Sequence, residues 1–224
     1  MVKIPSFGFS AFLKIVCANE KPQKRAVKER HKPSKSGYDY HKNLRLRVQW
    51  LASSSHTAAQ VISSLNDITK APERASTHAG IKKFIEWQSH HKKEIQFCGP
   101  LTFRSPNGLF QVKYAPDFLT EIDGRLTAVH VWNTQEKLSR NLVVAMLTIV
   151  ASNWDDTPER PDDFAVFSLR DGQFYNWSEH TEEHRKLGQK VMLHLENLCQ
   201  IVRVELELPR AGEGITRPPS PSPK

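Results

Sequence analysis

The sequence predicts a mixed α/β fold in which helices pack against a central mixed sheet of about five strands. Residues 109–133 read as three short strands separated by turn signals, and residues 164–177 read as two more. Between them, residues 135–154 are apolar on nearly every side, as in a buried helix. The predicted order is therefore helices, three strands, a helix, two strands and a final helix, an order typical of a mixed sheet covered by helices.

The basic character of the chain is concentrated in its first 50 residues. They hold 12 Lys+Arg against 3 Asp+Glu, a net charge of +9, whereas the whole chain has a net charge of +8. A basic segment on a near-neutral body is expected where phosphate groups of nucleic acid or anionic lipid are bound, and a solvated tail is the alternative. The side chains predicted to bind nucleic acid are Lys24, Arg25, Lys28, Arg30, Lys32, Lys35, Arg45 and Arg47.

The composition divides the chain into three parts. Residues 1–37 are predicted to form a basic N-terminal segment and linker, because residues 21–37 mix charges with prolines and serines and lack apolar periodicity. Inside this segment, Phe9–Val16 reads as an amphipathic helix that docks on the body or on a membrane surface. Residues 38–208 are predicted to form one globular domain, and the Pro/Ser-rich residues 209–224 a disordered tail.

Three helices are predicted in the helical part at residues 38–93. Apolar residues at spacings of three and four predict a helix ending near residue 52, Thr57 can cap a second helix, and a third runs from about residue 77 to 90. Arg45 and Arg47 beside the first two helices suggest a helix-turn-helix. The second helix has few side chains suited to reading bases, which favours a pair of helices that simply pack together.

The central hairpin sets the predicted site. Asp123-Gly124 favours a two-residue turn between antiparallel strands, and the turn fixes the register of the hairpin. In that register Leu119 faces Ala128, and Asp117 faces His130. One carboxyl group and one imidazole therefore lie side by side.

The C-terminal part is predicted to contain two strands joined at Asp171-Gly172 and then a helix that starts at Ser178 or Thr181. That helix carries one apolar stripe, formed by Leu187, Val191, Leu195, Leu198 and Val202. Gly188 lies within the helix and can permit close packing.

The strand segment PDFLTEIDGRLTAVHVWNT, within the order α-βββ-α-ββ-α, resembles the PD-(D/E)xK nuclease superfamily, especially its RecB-like exonuclease branch. The resemblance implies a nuclease-like core over residues 94–208. It also implies a divalent metal, Mg or Mn, held by acidic residues, and a lysine that assists the attacking water. Asp117 matches the first acid, whereas His130 stands in place of the second acid and Trp132 in place of the lysine.

These replacements predict that the usual catalysis is lost. Mg²⁺ prefers oxygen ligands, so an imidazole weakens the site, and Trp132 supplies no cation. Asp117 and His130 remain the candidate catalytic and metal-binding residues. Glu121 lies about 13 Å further along the strand and cannot reach the same ion without a bulge. An ion-paired or hydrogen-bonded Asp117–His130 couple is the alternative.

Other motifs are absent from the sequence. It contains no GxSxG, GxxxxGK[ST], HExxH or GxGxxG motif, and its ten histidines are scattered. The three cysteines, Cys17, Cys98 and Cys199, form no CxxC pair, which favours a reducing compartment and a role as small apolar fillers. No apolar run reaches the roughly 20 residues that span a bilayer. We therefore expect a cytoplasmic protein of bacterial type.

The sequence thus predicts a nucleic-acid-binding module whose nuclease-like core has lost catalysis, and which holds no cofactor. Two alternatives stay open. One is a protein-interaction or structural module whose basic segment is only a linker. The other is an atypical metal-dependent nuclease that uses Asp117.

Overall fold

The structure is a computed structural model, and it describes residues 4–32, 39–91 and 93–208. The elements on the N-terminal side are β1 (Ser6–Gly8), α1 (Phe9–Val16), α2 (Glu20–His31), α3 (Lys42–Ala52), α4 (Ala58–Ser64) and α5 (Ala71–His90). They are followed by β2 (Ile95–Gln96), β3 (Leu101–Arg104), β4 (Gln111–Tyr114), β5 (Phe118–Ile122), β6 (Arg125–Trp132), α6 (Arg140–Asn153), β7 (Asp163–Ser168), β8 (Phe174–Asn176) and α7 (Glu182–Glu205).

The strands form two sheets, and the predicted mixed α/β class with a five-stranded sheet is confirmed. The larger sheet has the order β2-β5-β6-β7-β8, and the smaller one has the order β1-β4-β3. The three central strands were predicted to share one sheet, which is wrong, because β4 belongs to the smaller sheet. Ala115-Pro116 separates β4 from β5, and proline cannot donate a ladder hydrogen bond. The chain changes sheet at that break, and β2 occupies the edge beside β5.

The β5–β6 hairpin has the predicted register. Leu119 lies opposite Ala128, and Ile122 lies opposite Arg125. Asp123 and Gly124 form the two-residue loop with φ values of +49° and +76°, as a type I′ turn requires. This turn places Asp117 level with His130, and the Asp117 N–H donates to the Val129 carbonyl at 2.8 Å.

Helices cover both faces of the five-stranded sheet. One face packs against α1, α6 and α7 through side chains such as Ala128, Trp132 and Phe164. The other face packs against α3, α4 and α5 through Phe118 and Val129. Helix α6 connects β6 to β7, which lie parallel, as expected for a strand-helix-strand crossover.

The predicted boundary at residue 37 is wrong, because the N-terminal segment belongs to the folded domain. Strand β1 pairs in parallel with β4, and α1 has the predicted bounds and buries Phe9 and Phe12 in the same core as Phe110. The predicted linker is wrong over residues 21–31, which belong to helix α2 and include the fully buried Val27. Residues 33–37 and the predicted tail at 209–224 lie outside the described residues.

Arg47 joins the first two helices after the N-terminal segment. It is 3% exposed, and its guanidinium donates to the Ser64 side chain at 3.0 Å and to the Asn43 carbonyl at 3.2 Å. Helices α3 and α4 are therefore a packing pair with a buried polar contact. Helix α4 begins with a capping box formed by Thr57 and Gln60, and α5 begins six residues earlier than predicted because Pro72 fits the first turn of a helix.

Candidate functional site

The predicted Asp117–His130 pair lies in the interior, at the level where β5 begins. Asp117 is 3% exposed and His130 is 5% exposed. Alternation along β6 directs His130 to the same face of the sheet as Ala128 and Trp132, where α1 packs. The Phe9 ring meets the imidazole edge to face at 5.3 Å.

The carboxylate of Asp117 is held by two groups of the neighbouring strand. Its Oδ2 accepts the Val131 N–H at 2.7 Å and lies 3.4 Å from His130 Nδ1. The same Nδ1 lies 3.3 Å from the Ala115 carbonyl oxygen. Both neighbours of Nδ1 are hydrogen-bond acceptors, so Nδ1 carries a proton.

A third residue completes this cluster. Ser10, the second residue of α1, places its Oγ 2.7 Å from His130 Nε2. Since Nδ1 holds the proton of the neutral ring, Nε2 is the acceptor and the Ser10 hydroxyl donates to it. Ser10 was not among the residues predicted from the sequence. Its local signal is Gly8-Phe9-Ser10, the first half of a GxSxG motif whose second glycine is replaced by Phe12.

Burial controls the ionisation of the pair. It lowers the pKa of His130 below the ordinary 6.5, and the nearby Asp117 carboxylate and the Ala115 carbonyl oppose this shift. Burial also raises the pKa of Asp117 above its ordinary value of 3.8, against the effects of His130 and the Val131 N–H. Both shifts oppose the charged form of the buried group, and the imidazole is therefore suited to accept a proton rather than to act as a fixed cation. His130 and the Val131 N–H both favour the carboxylate form of Asp117.

The donor set does not fit the magnesium site that the nuclease resemblance implies. Asp117 Oδ2 and His130 Nε2 already face hydrogen-bond donors of the protein, and Trp132 is 1% exposed within the core. Glu121 pairs with Lys93 at 2.9 Å. Among residues 4–32, 39–91 and 93–208, no group of three or more His, Cys, Asp or Glu side chains is placed to hold a metal ion.

The predicted nucleic-acid-binding residues fall on two different helices. Lys24, Arg25, Lys28 and Arg30 lie on α2, and Lys32 directly follows it. Arg45 and Arg47 lie on α3, which packs on the opposite face of the five-stranded sheet. Arg45 pairs with Asp39, and the buried Arg47 is not available to a ligand at the surface. Lys35 lies outside the described residues.

Helix α2 is fixed on α7 rather than extended as a flexible arm. Val27 is 1% exposed, and Gln23 Oε1 lies 2.9 Å from His194 Nε2. Lys24 and Lys28 both pair with the single carboxylate of Glu205. The cations of α2 therefore stand on a defined surface.

The exposed part of α2 carries a group of cations, here called the α2 surface. Lys21, Lys24, Arg25, Lys28 and Lys32 share one side of the helix, and Arg30 lies on the opposite side, at the cleft beside α1. Over residues 20–32, six lysines and arginines face two glutamates, a net charge of +4. Lys32 pairs with Glu29 at 2.8 Å. Within the described part of the chain, Lys21, Arg25 and Arg30 form no ion pair.

These features define a mixed α/β protein with a buried Asp117–His130 pair, which the partly exposed Ser10 contacts, and with a basic helix docked on α7. No protein-family model matches the chain, and no curated protein is significantly similar to it. The resemblance to the PD-(D/E)xK superfamily therefore stays a prediction. In the described ranges, none of the helices is both long enough and apolar enough to cross a bilayer.

Proposed function

We propose that the protein binds nucleic acid through the α2 surface and that its nuclease-like core does not use the metal-dependent chemistry of that superfamily. The observation that carries the proposal is the set of three cations on α2, Lys21, Arg25 and Arg30, that have no ion-pair partner among the described residues. A cation that has no ion-pair partner in the protein can bind a phosphate and so release the counterions that surround the nucleic acid.

The dimensions of α2 support this proposal. Lys21, Arg25 and Lys28 follow one another at spacings of four and three residues, so they share one side of the helix and extend over about 10 Å of its axis. One strand of B-DNA presents a phosphate every ~3.4 Å of axis, so this length matches about three phosphates. Because α2 is anchored to α7 by Val27 and Gln23, little conformational freedom is lost when the phosphates bind.

An anionic lipid surface is a poorer match for the same helix. Helices that lie in a membrane interface insert an apolar face among the lipids. The one buried apolar residue of α2, Val27, faces the protein. The exposed positions of α2 are charged residues and Pro22. The helix therefore presents charges but no apolar face that could insert among lipids.

The proposal is tested by fluorescence anisotropy with labelled single- and double-stranded DNA and RNA 20-mers across a salt series. The triple variant Lys21→Gln/Arg25→Gln/Arg30→Gln removes the three unpaired cations. Arg125→Gln/Arg170→Gln/Lys186→Gln, at exposed positions away from α2, removes the same charge and serves as the matched control. We expect the α2 variant to lower the slope of log K against log salt by about 2 to 3.

Two results would contradict the proposal. One is the absence of salt-dependent binding by the natural protein at low salt. The other is an equal loss of affinity in the α2 variant and the control, because net charge alone would then explain binding. The first result favours a protein-interaction module, for which the exposed Leu193 and Val204 on α7, at 51% and 79% exposure, are the first residues to substitute.

A metal-dependent nuclease is tested in the same samples. Incubation of each nucleic acid with Mg²⁺ or Mn²⁺ should leave the strands intact. Cleavage that requires the metal and is lost in Asp117→Asn would instead favour the atypical nuclease.

A further inference from the structure

The buried cluster has the order of contacts used for nucleophilic catalysis. Ser10 Oγ lies 2.7 Å from His130 Nε2, and His130 Nδ1 lies 3.4 Å from Asp117 Oδ2. A hydroxyl, an imidazole that can accept its proton and a carboxylate that orients the ring form an activated serine wherever they meet in this order, whatever the fold. We propose that Ser10 is a nucleophile activated by His130, and that the site hydrolyses esters with aliphatic acyl groups.

The three residues are brought together by the tertiary structure. Ser10 belongs to α1, His130 lies 120 positions away on β6, and Asp117 precedes β5. The β5–β6 register fixes Asp117 beside His130. The pairing of β1 with β4 fixes the start of α1 above them.

The protonation state of His130 is the one that a general base needs. Nδ1 faces the Ala115 carbonyl and the Asp117 carboxylate, which both accept, so the lone pair of Nε2 faces the Ser10 hydroxyl. Tyr114 and Phe9 flank the ring at centroid distances of 6.1 and 5.3 Å and restrict its rotation. Burial keeps the pKa of His130 low, so the base is free of its proton near neutral pH.

The start of α1 supplies hydrogen-bond donors beside the nucleophile. No side chain caps the first turn of α1, and the first N–H groups of a helix have no partner within the helix. An oxyanion formed next to Ser10 Oγ would lie near these donors, which is the usual arrangement for stabilising a tetrahedral intermediate.

A cleft that could hold a substrate begins next to Ser10. The side chain of Ser10 is partly exposed, and a Cβ atom placed on Gly8, two residues earlier, would meet no atom within 4 Å. The cleft has a volume of about 910 Å³ and runs along α1 from Ala11, the residue that follows Ser10, to the side of α2 that carries Ala26 and Arg30. Its apolar part, which includes Ile15 and Ala26, suits an acyl chain.

The reaction is balanced with water as the second substrate. Ser10 Oγ attacks the ester carbonyl carbon while its proton passes to His130 Nε2. The bond from that carbon to the alcohol oxygen then breaks, and the alcohol leaves with the proton. Water next gives a proton to Nε2 and attacks the acyl carbon, the bond to Ser10 Oγ breaks, and the serine regains its proton. An acid and an alcohol are released.

The experiment uses the full-length protein with a fluorophosphonate probe, which reacts with activated serines, and with p-nitrophenyl butyrate and octanoate. We expect a covalent adduct that peptide mass spectrometry assigns to Ser10. Ser10→Ala should abolish the adduct and lower ester hydrolysis by about 10³-fold or more, and Asp117→Asn should lower it by about 10²-fold or more. Ser89→Ala, an exposed serine on α5, should behave like the natural protein.

The natural protein alone decides the outcome, because Ser10→Ala removes the contact with His130 and can reduce folding. The absence of an adduct in the natural protein, or an adduct confined to other residues, would overturn the proposal and leave Ser10 as an anchor that fixes α1 to His130. Thermal melts of each variant separate lost labelling from lost folding. The double variant Lys21→Gln/Arg25→Gln, which leaves Arg30 at the cleft unchanged, should still react, so this inference and the proposed nucleic-acid binding can fail independently.

Discussion

His130 Nδ1 lies 3.4 Å from Asp117 Oδ2 across the β5–β6 hairpin, and both side chains are almost fully buried. The proximity of the two residues follows from the two-residue turn at Asp123-Gly124. Helix α1 covers His130 through Phe9 and contacts it through Ser10. The ionisation of His130 should therefore be linked to the stability of the whole domain.

The free energy of unfolding should depend on pH through His130. Burial lowers its folded-state pKa below 6.5, so between that lowered pKa and 6.5 the unfolded chain binds more protons than the folded one. Stability from this residue is complete above pH 6.5 and falls as the pH decreases through that window. Urea unfolding between pH 7.5 and 5 should show a steeper loss for the natural protein than for His130→Gln.

The difference between the natural protein and His130→Gln isolates the imidazole. Glutamine keeps a hydrogen-bond acceptor for Ser10 but does not titrate. Asp117 is present in both proteins. Its folded-state pKa is raised above 3.8, so folding favours its neutral form, and its contribution to stability falls as the pH rises through the acidic range above 3.8. This is opposite to the contribution of His130. Equal pH dependence in the two proteins would show that His130 is not the residue that titrates.

Gly188→Ala should destabilise the protein, although alanine is the better helix former by about 1 kcal/mol. A Cβ at this position would lie 2.9 Å from the Ala145 carbonyl oxygen and 3.1 Å from Ile149, so α6 and α7 must separate. We expect a loss of about 1–3 kcal/mol in urea unfolding. The neighbouring exposed change Gln189→Ala should stay within about 0.5 kcal/mol, and equal effects would refute the close packing.

Gly124→Ala should weaken the hairpin that positions the buried pair. Gly124 has a φ of +76°, a conformation that costs an alanine about 1–2 kcal/mol. Gly99→Ala is the matched control, because Gly99 has neither a positive φ nor an atom within 4 Å of the added Cβ. Thermal melts should show a lower Tm for the first variant alone.

Arg47→Met should reduce stability without a direct effect on nucleic-acid binding. It removes the donors to Ser64 and Asn43 and leaves buried acceptors without partners, at a cost of about 2–3 kcal/mol. Arg25→Met, at an exposed position, should be nearly neutral for stability but should weaken binding. If Arg47→Met weakened binding and Arg25→Met did not, the binding surface would lie on α3.

Cys199 should resist alkylation in the folded protein. Burial raises the pKa of its thiol to about 12, with a further contribution from Glu196, so the reactive thiolate is scarce at pH 8. Iodoacetamide should modify Cys199 only after denaturation, as measured by peptide mass spectrometry. Rapid modification at pH 8 without denaturant would show that α7 opens locally.

A feature of the structure was predicted correctly from the sequence where all of its physical causes lie within one short segment. The hairpin register was predicted because a two-residue turn fixes which residues face each other. The Thr57 cap and the bounds of α1 are confirmed for the same reason. The Asp117–His130 half of the candidate site belongs to this group.

Tertiary structure decided the features that depend on distant residues. Whether β4 joins the main sheet depends on β1 and β3, which pair with it from both sides. Helix α2 has little apolar periodicity, and it is held by Val27, Gln23 and the ion pairs with Glu205 on α7. Arg47 was predicted to be a surface cation, because the neighbouring residues in the sequence do not indicate that Ser64 and Asn43 surround its side chain.

The sequence by itself determined that an acid and an imidazole are neighbours, since their contact needs only a hairpin of about 14 residues. Only the tertiary structure decided that this pair is buried and that Ser10 donates to it from 120 residues away. Local propensities act over a few residues, whereas a contact between distant segments forms only when the packing of the whole core compensates for the entropy lost on closing the chain between them.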